Sequence, residues 1–395
     1  MKGRRFSYKL FVVCLCAALF LSAGCMRAPQ PGQPGGPAPA VIEVWHYLQD
    51  AEADALQTQV QRIMGQYSEV LIKLKYVPEV NFADFSYQAG AGGEGPEIFI
   101  ASREIIRRLY ERGMLTQAAY VDEGAYPAAS AAFQFEGAPY ASPWLTDVAL
   151  LYFRADWAGV PENVEDLFFN KGGVSLAAAD MFSLAVWWSD FGGRVVFAGR
   201  PVLTGMGNLT FLNQLLNWQM AGSLRVDPAA REAFERGQTS FMIAGASQAK
   251  GLTALEAPWG IMQLSDLTGG RGHPLIGSTL GIANSAIKTT EALLPFIRLV
   301  EKELLTLETE SAMERAGTLI PANMGYYQLP ESQKGIFPQV NVALSRAWEL
   351  EGNAAEWKII PVMEEAWSKA LAGDLLPGEA LAEAQEEALK ALGVR

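Results

Sequence analysis

The residues Gly90-Ala-Gly-Gly-Glu-Gly95 fit the spacing G-x-G-x-x-G. Such a loop can hold a dinucleotide pyrophosphate on its backbone amides, provided a strand precedes it and a helix follows. Here the order is reversed. Phe82 to Gln88 reads as helix and Ile98-Phe-Ile100 as strand, with Pro96 close before it. The glycines are expected to end a helix and turn the chain into the next strand. Other catalytic spacings are missing: there is no G-x-S-x-G, no H-E-x-x-H and no P-loop. Only His46 and His273 occur, which excludes a His-rich metal site and leaves a His-dependent dyad few options. A glycosidase-type carboxylate pair has 43 acidic residues to draw on, but no pattern singles out two of them.

The residue types that remain suit recognition. Sugars present apolar C–H faces rimmed by hydroxyls, so a site for them needs aromatic platforms and a few convergent polar groups. In open α/β sheets such sites lie beyond the carboxyl ends of strands. Those ends are Trp45-His46-Tyr47, Pro78-Glu79 and Ala101-Ser102-Arg103. Trp45, Tyr47, Glu79 and Ser102 are therefore candidate ligand contacts, and at least one of Trp45 and Tyr47 is expected to face the cleft. Trp45 is equally suited to core packing. Trp187 and Trp188 are adjacent in a helical pattern and point to different sides. One is expected in the core and the other in the cleft, with Trp187 a candidate ligand contact. Asp180 suits a helix cap.

Alternating elements must position these residues. Val41 to Trp45 is a strand; Leu56, Val60, Ile63, Met64 and Tyr67 follow at helical spacing from Asp50, a capping type. Ile72, Leu74 and Tyr76 alternate with Lys73 and Lys75 as a second strand. Helices are expected over 103–114, 181–188, 209–220 and 293–304. Two more meet at the C-terminus, where Gly373 ends one and Pro377 starts the other. The pattern predicts an α/β fold with open, mostly parallel sheets in two units.

The N-terminus reads as a targeting segment. Lys2, Arg4, Arg5 and Lys9 precede an apolar run from Leu10 to Leu21, shorter than the roughly 20 residues a spanning helix needs. It ends at Leu21-Ser-Ala-Gly-Cys25, similar to a bacterial lipobox. Residues 1–24 are expected to be a signal peptide, with lipid on Cys25 anchoring the chain at a membrane. Cys14 and Cys16 leave with the signal, which excludes disulfides and thiol chemistry in the folded body. Residues 25–40, with the run PQPGQPGGPAPA, form a semi-stiff spacer. The formal charge of -12 and the absence of a long basic cluster exclude a nucleic-acid partner.

Several motifs in order resemble extracellular solute-binding proteins of family 1, the maltose-binding-protein-like subunits of ABC importers. They are IEVWHY, AGAGGEGPEIFIAS (with Glu97 where Asp is usual), GAPYASPWLTDVALLYFRADW, PENVEDLFF, FERGQTSFMIAG, HPLIGSTLGIANSA, TLIPANMGYY and LAGDLLPGEALAEA. The resemblance covers nearly all of 41–395. It implies a two-lobed periplasmic-binding-protein-like fold of type II, closing over ligand by a hinge. It places 41–142 and 282–330 in the N-terminal lobe, 148–274 and 335–395 in the C-terminal lobe, and crossings at 143–147, 275–281 and 327–338. It further implies that Trp144 and Asp147 lie on the cleft floor. Ser247 and Gln248 would follow a cleft strand, at a point where the family often has a tryptophan. Arg271, His273, Tyr326 and Tyr327 are further candidates for the cleft or for solvated loops; Trp157, Trp218, Trp259, Trp348, Trp357 and Trp367 are expected in the core.

The implied function is capture of a carbohydrate, an oligosaccharide or related polyol, and its delivery to permease subunits. The protein would be exported, lipid-anchored outside the cell membrane or in the periplasm, and monomeric, with no cofactor and no metal. The rival readings are a surface-anchored carbohydrate-active enzyme and a binding subunit that feeds a sensor.

Overall fold

Strand alternation decides which core each side chain enters, because successive residues point to opposite faces of a sheet. In the computed structural model, which describes residues 38–169, 172–348 and 354–393, this is visible from the first strand. The expected signal segment, Cys25 and the expected spacer through residue 37 lie outside the described residues. In β1 (Ala40–His46), Ile42 and Val44 enter one core and Trp45 another; in β3 (Ile98–Ser102), Ile98 and Ile100 part from Phe99 and Ala101 in the same way. All five residues of β3 are buried, as expected of a strand covered on both faces.

The first sheet has six strands. β1 pairs in parallel with β2 (Val70–Tyr76) on one side and β3 on the other. β4 (Ala141–Thr146) leaves this sheet, and after only Asp147 and Val148 the chain enters β5 (Ala149–Arg154) of a second sheet. The second sheet, of five strands, adds β6 (Val174–Leu176), β7 (Leu224–Val226), β8 (Phe241–Gly245) and β9 (Trp259–Met262) in the order β7-β6-β8-β5-β9. The chain then returns through β10 (Leu280–Asn284), and β11 (Ile320–Pro321) completes the first sheet as β11-β4-β10-β3-β1-β2. Both sheets are mixed rather than mostly parallel. β10 comes back from the other lobe, so it runs antiparallel to both β3 and β4.

The outgoing and returning segments touch where they cross. Val148 bridges Ile276, Gly277 N–H donates to the Asp147 carbonyl at 2.8 Å, and the Thr146 and Thr279 hydroxyls bond at 3.0 Å.

The helices follow their apolar periodicity. α1 (Asp50–Gln66) buries Leu56, Val60 and Ile63 under the first sheet; Asp50 is its first residue, at φ 46°, rather than a cap. α2 (Phe82–Ala91) ends in the glycine string, where Gly93 takes φ 74° and leads through Pro96 into β3. The dinucleotide arrangement is thus absent from this loop. α3 (Arg103–Glu111) starts at once after β3, capped by the Ser102 hydroxyl, which accepts from Ile105 N–H at 3.4 Å. α4 (Met181–Asp190) and α5 (Met206–Met220) belong to the second lobe. α6 (Leu294–Leu304) carries Pro295 in its first turn, where no amide partner is lost. α7 (Leu307–Ala316) packs on α1. α8 (Phe337–Ser345) lies against β5, and α9 (Ala354–Ala372) and α10 (Pro377–Ala391) close the second lobe. Gly373, at φ 79°, ends α9.

Each lobe has a core of its own. A third core runs between them, with Phe99 and Ile105 from the first and Leu150, Tyr152 and Met242 from the second. Full burial of a side chain of this size contributes about 1.5–3 kcal/mol.

Candidate functional site

A cleft lies where the two lobes face each other across the crossings. Its first part, 350 Å³, sits at the carboxyl ends of the first sheet and is lined by Tyr47, Glu79, Ser102, Glu104, Arg108, Ser278 and Leu319. Its second part, 450 Å³, is lined on one side by Arg103, Glu104, Arg107 and Phe135. On the other side stand Asp180, Phe182, Trp357, Ile360 and Glu364, with Asp147 and Ile276 to Ser278 between. Glu104 and Ser278 border both parts, so they form one cleft. A separate cavity of 610 Å³ lies within the second lobe, beside His273, Trp188, Trp348 and Phe197. No lobe motion could close it, since one lobe supplies all its walls.

The start of α3 supplies the first wall. Arg103 donates from Nε and Nη2 to Glu104 at 3.0 and 2.7 Å, while its Nη1 is buried without a hydrogen-bond partner among the described residues. Burial lowers the Arg103 pKa; burial also works to raise that of Glu104, but Arg103 beside it holds it low. The guanidinium carbon stands 3.5 Å from the centre of the Trp357 ring. The two walls therefore meet in a cation–π contact. Nearby, burial and then the Glu79 carboxylate push the Tyr47 hydroxyl up, against a hydrogen bond with Ser102.

The second wall carries two carboxylates at the N-terminus of α4, where the helix dipole favours negative charge. Asp180 accepts from Ser183 N–H and Glu364 from Met181 N–H, both at 2.8 Å. Burial raises the Glu364 pKa, and Asp180 adds to this. The remaining acceptor capacity of both groups, beside Phe182 and Trp357, suits a ligand with hydroxyl donors and an apolar face.

Asp147 is the floor. Its carboxylate accepts from Val148 N–H at 2.9 Å, Ser247 N–H at 3.2 Å and the Ser247 hydroxyl at 2.6 Å. Burial pushes its pKa up to about 6, and the bonds from Ser247 oppose this. Its capacity is spent on tying the crossing to the end of β8, so it positions the lobes. A Cβ at Gly245 would stand 2.0 Å from its Oδ2. Gly245→Ala is therefore expected to break this clasp and cost about 2–3 kcal/mol in urea unfolding, in the range of overpacked interiors.

The structure sorts the sequence candidates. Tyr47, Glu79 and Ser102 are brought together in the first part of the cleft, and Asp147 lies in the second. Trp45 is 1% exposed, packed on Phe85 and Phe99 with its Nε1 donating to Glu43, so Tyr47 alone of the pair reaches the cleft. Trp144 is enclosed in the first lobe's core beside Leu145 and Ile282, not on the floor. Neither Trp187 nor Trp188 faces the cleft: Trp187 packs on Phe168 and Trp218, and Trp188 donates to Asn208. Ser247 acts through Asp147, and Gln248 accepts from Arg231 at 3.4 Å. Arg271 pairs with Asp190 on the surface at 2.7 Å. Tyr326 is buried against Tyr327 and Phe337, with its hydroxyl on Glu314.

Arg103, Glu104, Phe182, Trp357 and Glu364 were not singled out as contacts. The signal for the first two was present, since they directly follow a strand end. Trp357 sits in a helical apolar pattern that a core residue would share.

No protein-family profile matches the chain. Solved structures do. A cyclo/maltodextrin-binding protein complexed with maltotetraose superposes with a TM-score of 0.77 at 15% identity, covering 91% of this chain and 99% of its own. The MalE maltose/maltodextrin-binding domain of Bdellovibrio bacteriovorus, bound to maltotriose, gives 0.70 at 16%, covering 89% and 100%. The GacH receptor of Streptomyces glaucescens, determined unliganded and with acarbose, gives 0.71 at 17%, covering 90% and 99%. With six- and five-stranded mixed sheets joined by short crossings, the chain has the two-lobed α/β fold of the maltodextrin-binding proteins.

Proposed function

We propose that the chain is the extracytoplasmic solute-binding subunit of an ABC importer, held at the membrane by lipid on Cys25. It captures a carbohydrate, an oligosaccharide or related polyol, and presents it to a permease. The observation that carries this reading is the make-up of the cleft. Each lobe supplies one wall, and the floor is the pair of crossings about which the lobes can turn. Aromatic rings of Tyr47, Phe182 and Trp357 stand among carboxylates and arginines, the set that sugar faces and hydroxyls require. The similar structures named above hold maltotriose, maltotetraose and acarbose, which supports the ligand class.

Capture then needs no covalent step. A sugar ring stacks on Trp357, its hydroxyls bond Arg103 and the second-lobe carboxylates, and closing removes both from water. Ligand shifts the lobes toward the closed form only as far as it binds that form better.

A thermal-shift screen against mono- and oligosaccharides, polyols and peptides, with product analysis by chromatography, tests the proposal. The expected result is a rise in melting temperature with an oligosaccharide that is recovered intact. Turnover of the sugar, or stabilisation only by peptides, would contradict it.

A further inference from the structure

A second contact between the lobes lies away from the Arg103–Trp357 pair, at the β11 edge of the first sheet. Lys250 stands on a short helix, Ala249–Leu252, that follows β8 and Ser247 in the second lobe. Its ammonium reaches the C-terminus of α7 in the first lobe. There it donates to the Glu314 carbonyl and, at 2.6 Å, to the Gly317 carbonyl; the Glu314 Oε1 is 3.0 Å away. Glu314 is largely buried, and its other oxygen faces the Tyr326 hydroxyl.

The match is specific in number and charge. An ammonium has three N–H donors, and three oxygens of one helix end surround it. The last carbonyls of a helix lack intrahelical donors and carry the negative end of its dipole. A lysine of the other lobe therefore caps α7. Separating the lobes at this edge returns the ammonium and the carbonyls to water.

We propose that Lys250 is a latch that sets the balance between closed and open lobes, and through it the affinity for ligand, without touching the ligand. It is a positioning residue: it borders neither part of the cleft. The inference rests on reading the chain as a binder that works by lobe closure. An arginine fork cannot place its donors on the same three oxygens, so the device requires the lysine itself.

The test reads the distance between the lobes with no carbohydrate present. In the full chain with Cys14, Cys16 and Cys25 changed to Ser, spin labels are placed through Lys73→Cys and Glu232→Cys, both exposed and one on each lobe. Pulsed electron resonance then gives the distance distribution. Lys250→Met is expected to raise the open-to-closed ratio about tenfold, the scale of a partly buried charge at a helix end. Lys250→Arg should fall between the two, and Glu314→Gln should shift the ratio less, because the carbonyls remain. Circular dichroism melts check that the half-exposed Lys250 is replaced without unfolding. A Lys250→Met distribution that superimposes on the parent's, or a parent already wholly open, overturns the latch. Since no sugar is involved, failure to find a ligand leaves this result standing, and a parent that closes over a bound sugar while Lys250→Met leaves the ligand-free distances unchanged refutes the latch alone.

Discussion

Trp357→Ala is expected to weaken carbohydrate binding by about 30- to 100-fold while leaving the fold intact. The ring stands in the cleft wall with the Arg103 guanidinium 3.5 Å from its centre. A sugar stacking on the ring would gain the burial of an aromatic surface and the stacking term, together roughly 2–3 kcal/mol; every 1.4 kcal/mol is tenfold in affinity. The side chain is only half-buried at the margin of two cores, so its loss should lower unfolding stability by about 1–2 kcal/mol. Trp144→Ala gives the opposite pattern. That ring is wholly enclosed, and a core tryptophan truncated to alanine costs about 3–5 kcal/mol. Calorimetric titration paired with urea unfolding of both variants separates a platform from a core residue. Equal affinity loss in the two would contradict the assignment.

The second large effect is on pH dependence. Burial raises several carboxylates among the described residues, most strongly Asp147, pushed up to about 6; Glu301, pushed up to about 8; and Glu310, raised well above the usual carboxylate range. Both Glu310 oxygens are buried without a hydrogen-bond partner among the described residues, and Asp122 adds repulsion. Each native pKa lies above its unfolded value, so the folded state binds more protons. The contribution is complete below about pH 4, where both states are protonated, and is lost as pH rises through the native values. Asp147 loses its share by about pH 6, and Glu301 and Glu310 at higher pH. The chain should therefore be more stable at pH 5 than at pH 8, with a slope of up to about 1.4 kcal/mol per unit for each group titrating. Glu310→Gln should flatten the alkaline part of the curve and raise stability at pH 8. Urea midpoints across pH 4 to 9 check this; stability that climbs steadily from pH 5 to pH 8 would contradict it.

Much of the fold was legible because local chemistry and tertiary need agree. The glycine string turns α2 into β3, Gly373 and Pro377 separate the last two helices, and Val41 to Trp45 falls in the first strand. The mixed sheets were not legible. Strand direction depends on where the chain returns, and β10 returns from the other lobe. In the site, Tyr47, Glu79 and Ser102 were legible from the rule that ligands sit beyond strand ends. The tryptophans were not, because residue type carries no direction. Trp144 lies on a strand covered on both faces, so its ring had a core to enter on either side. Trp357 shows the converse, since a helical pattern cannot tell a ring at the core's edge from one at the cleft.

The central claim is that the lobes close over a carbohydrate. The direct measurement is the Lys73–Glu232 inter-lobe distance distribution, taken in the labelled chain with and without a saturating oligosaccharide from the screen. Ligand is expected to narrow the distribution to its shortest distance, and Trp357→Ala to need proportionately more ligand for the same change. An oligosaccharide that binds tightly and leaves the distribution unchanged would contradict it.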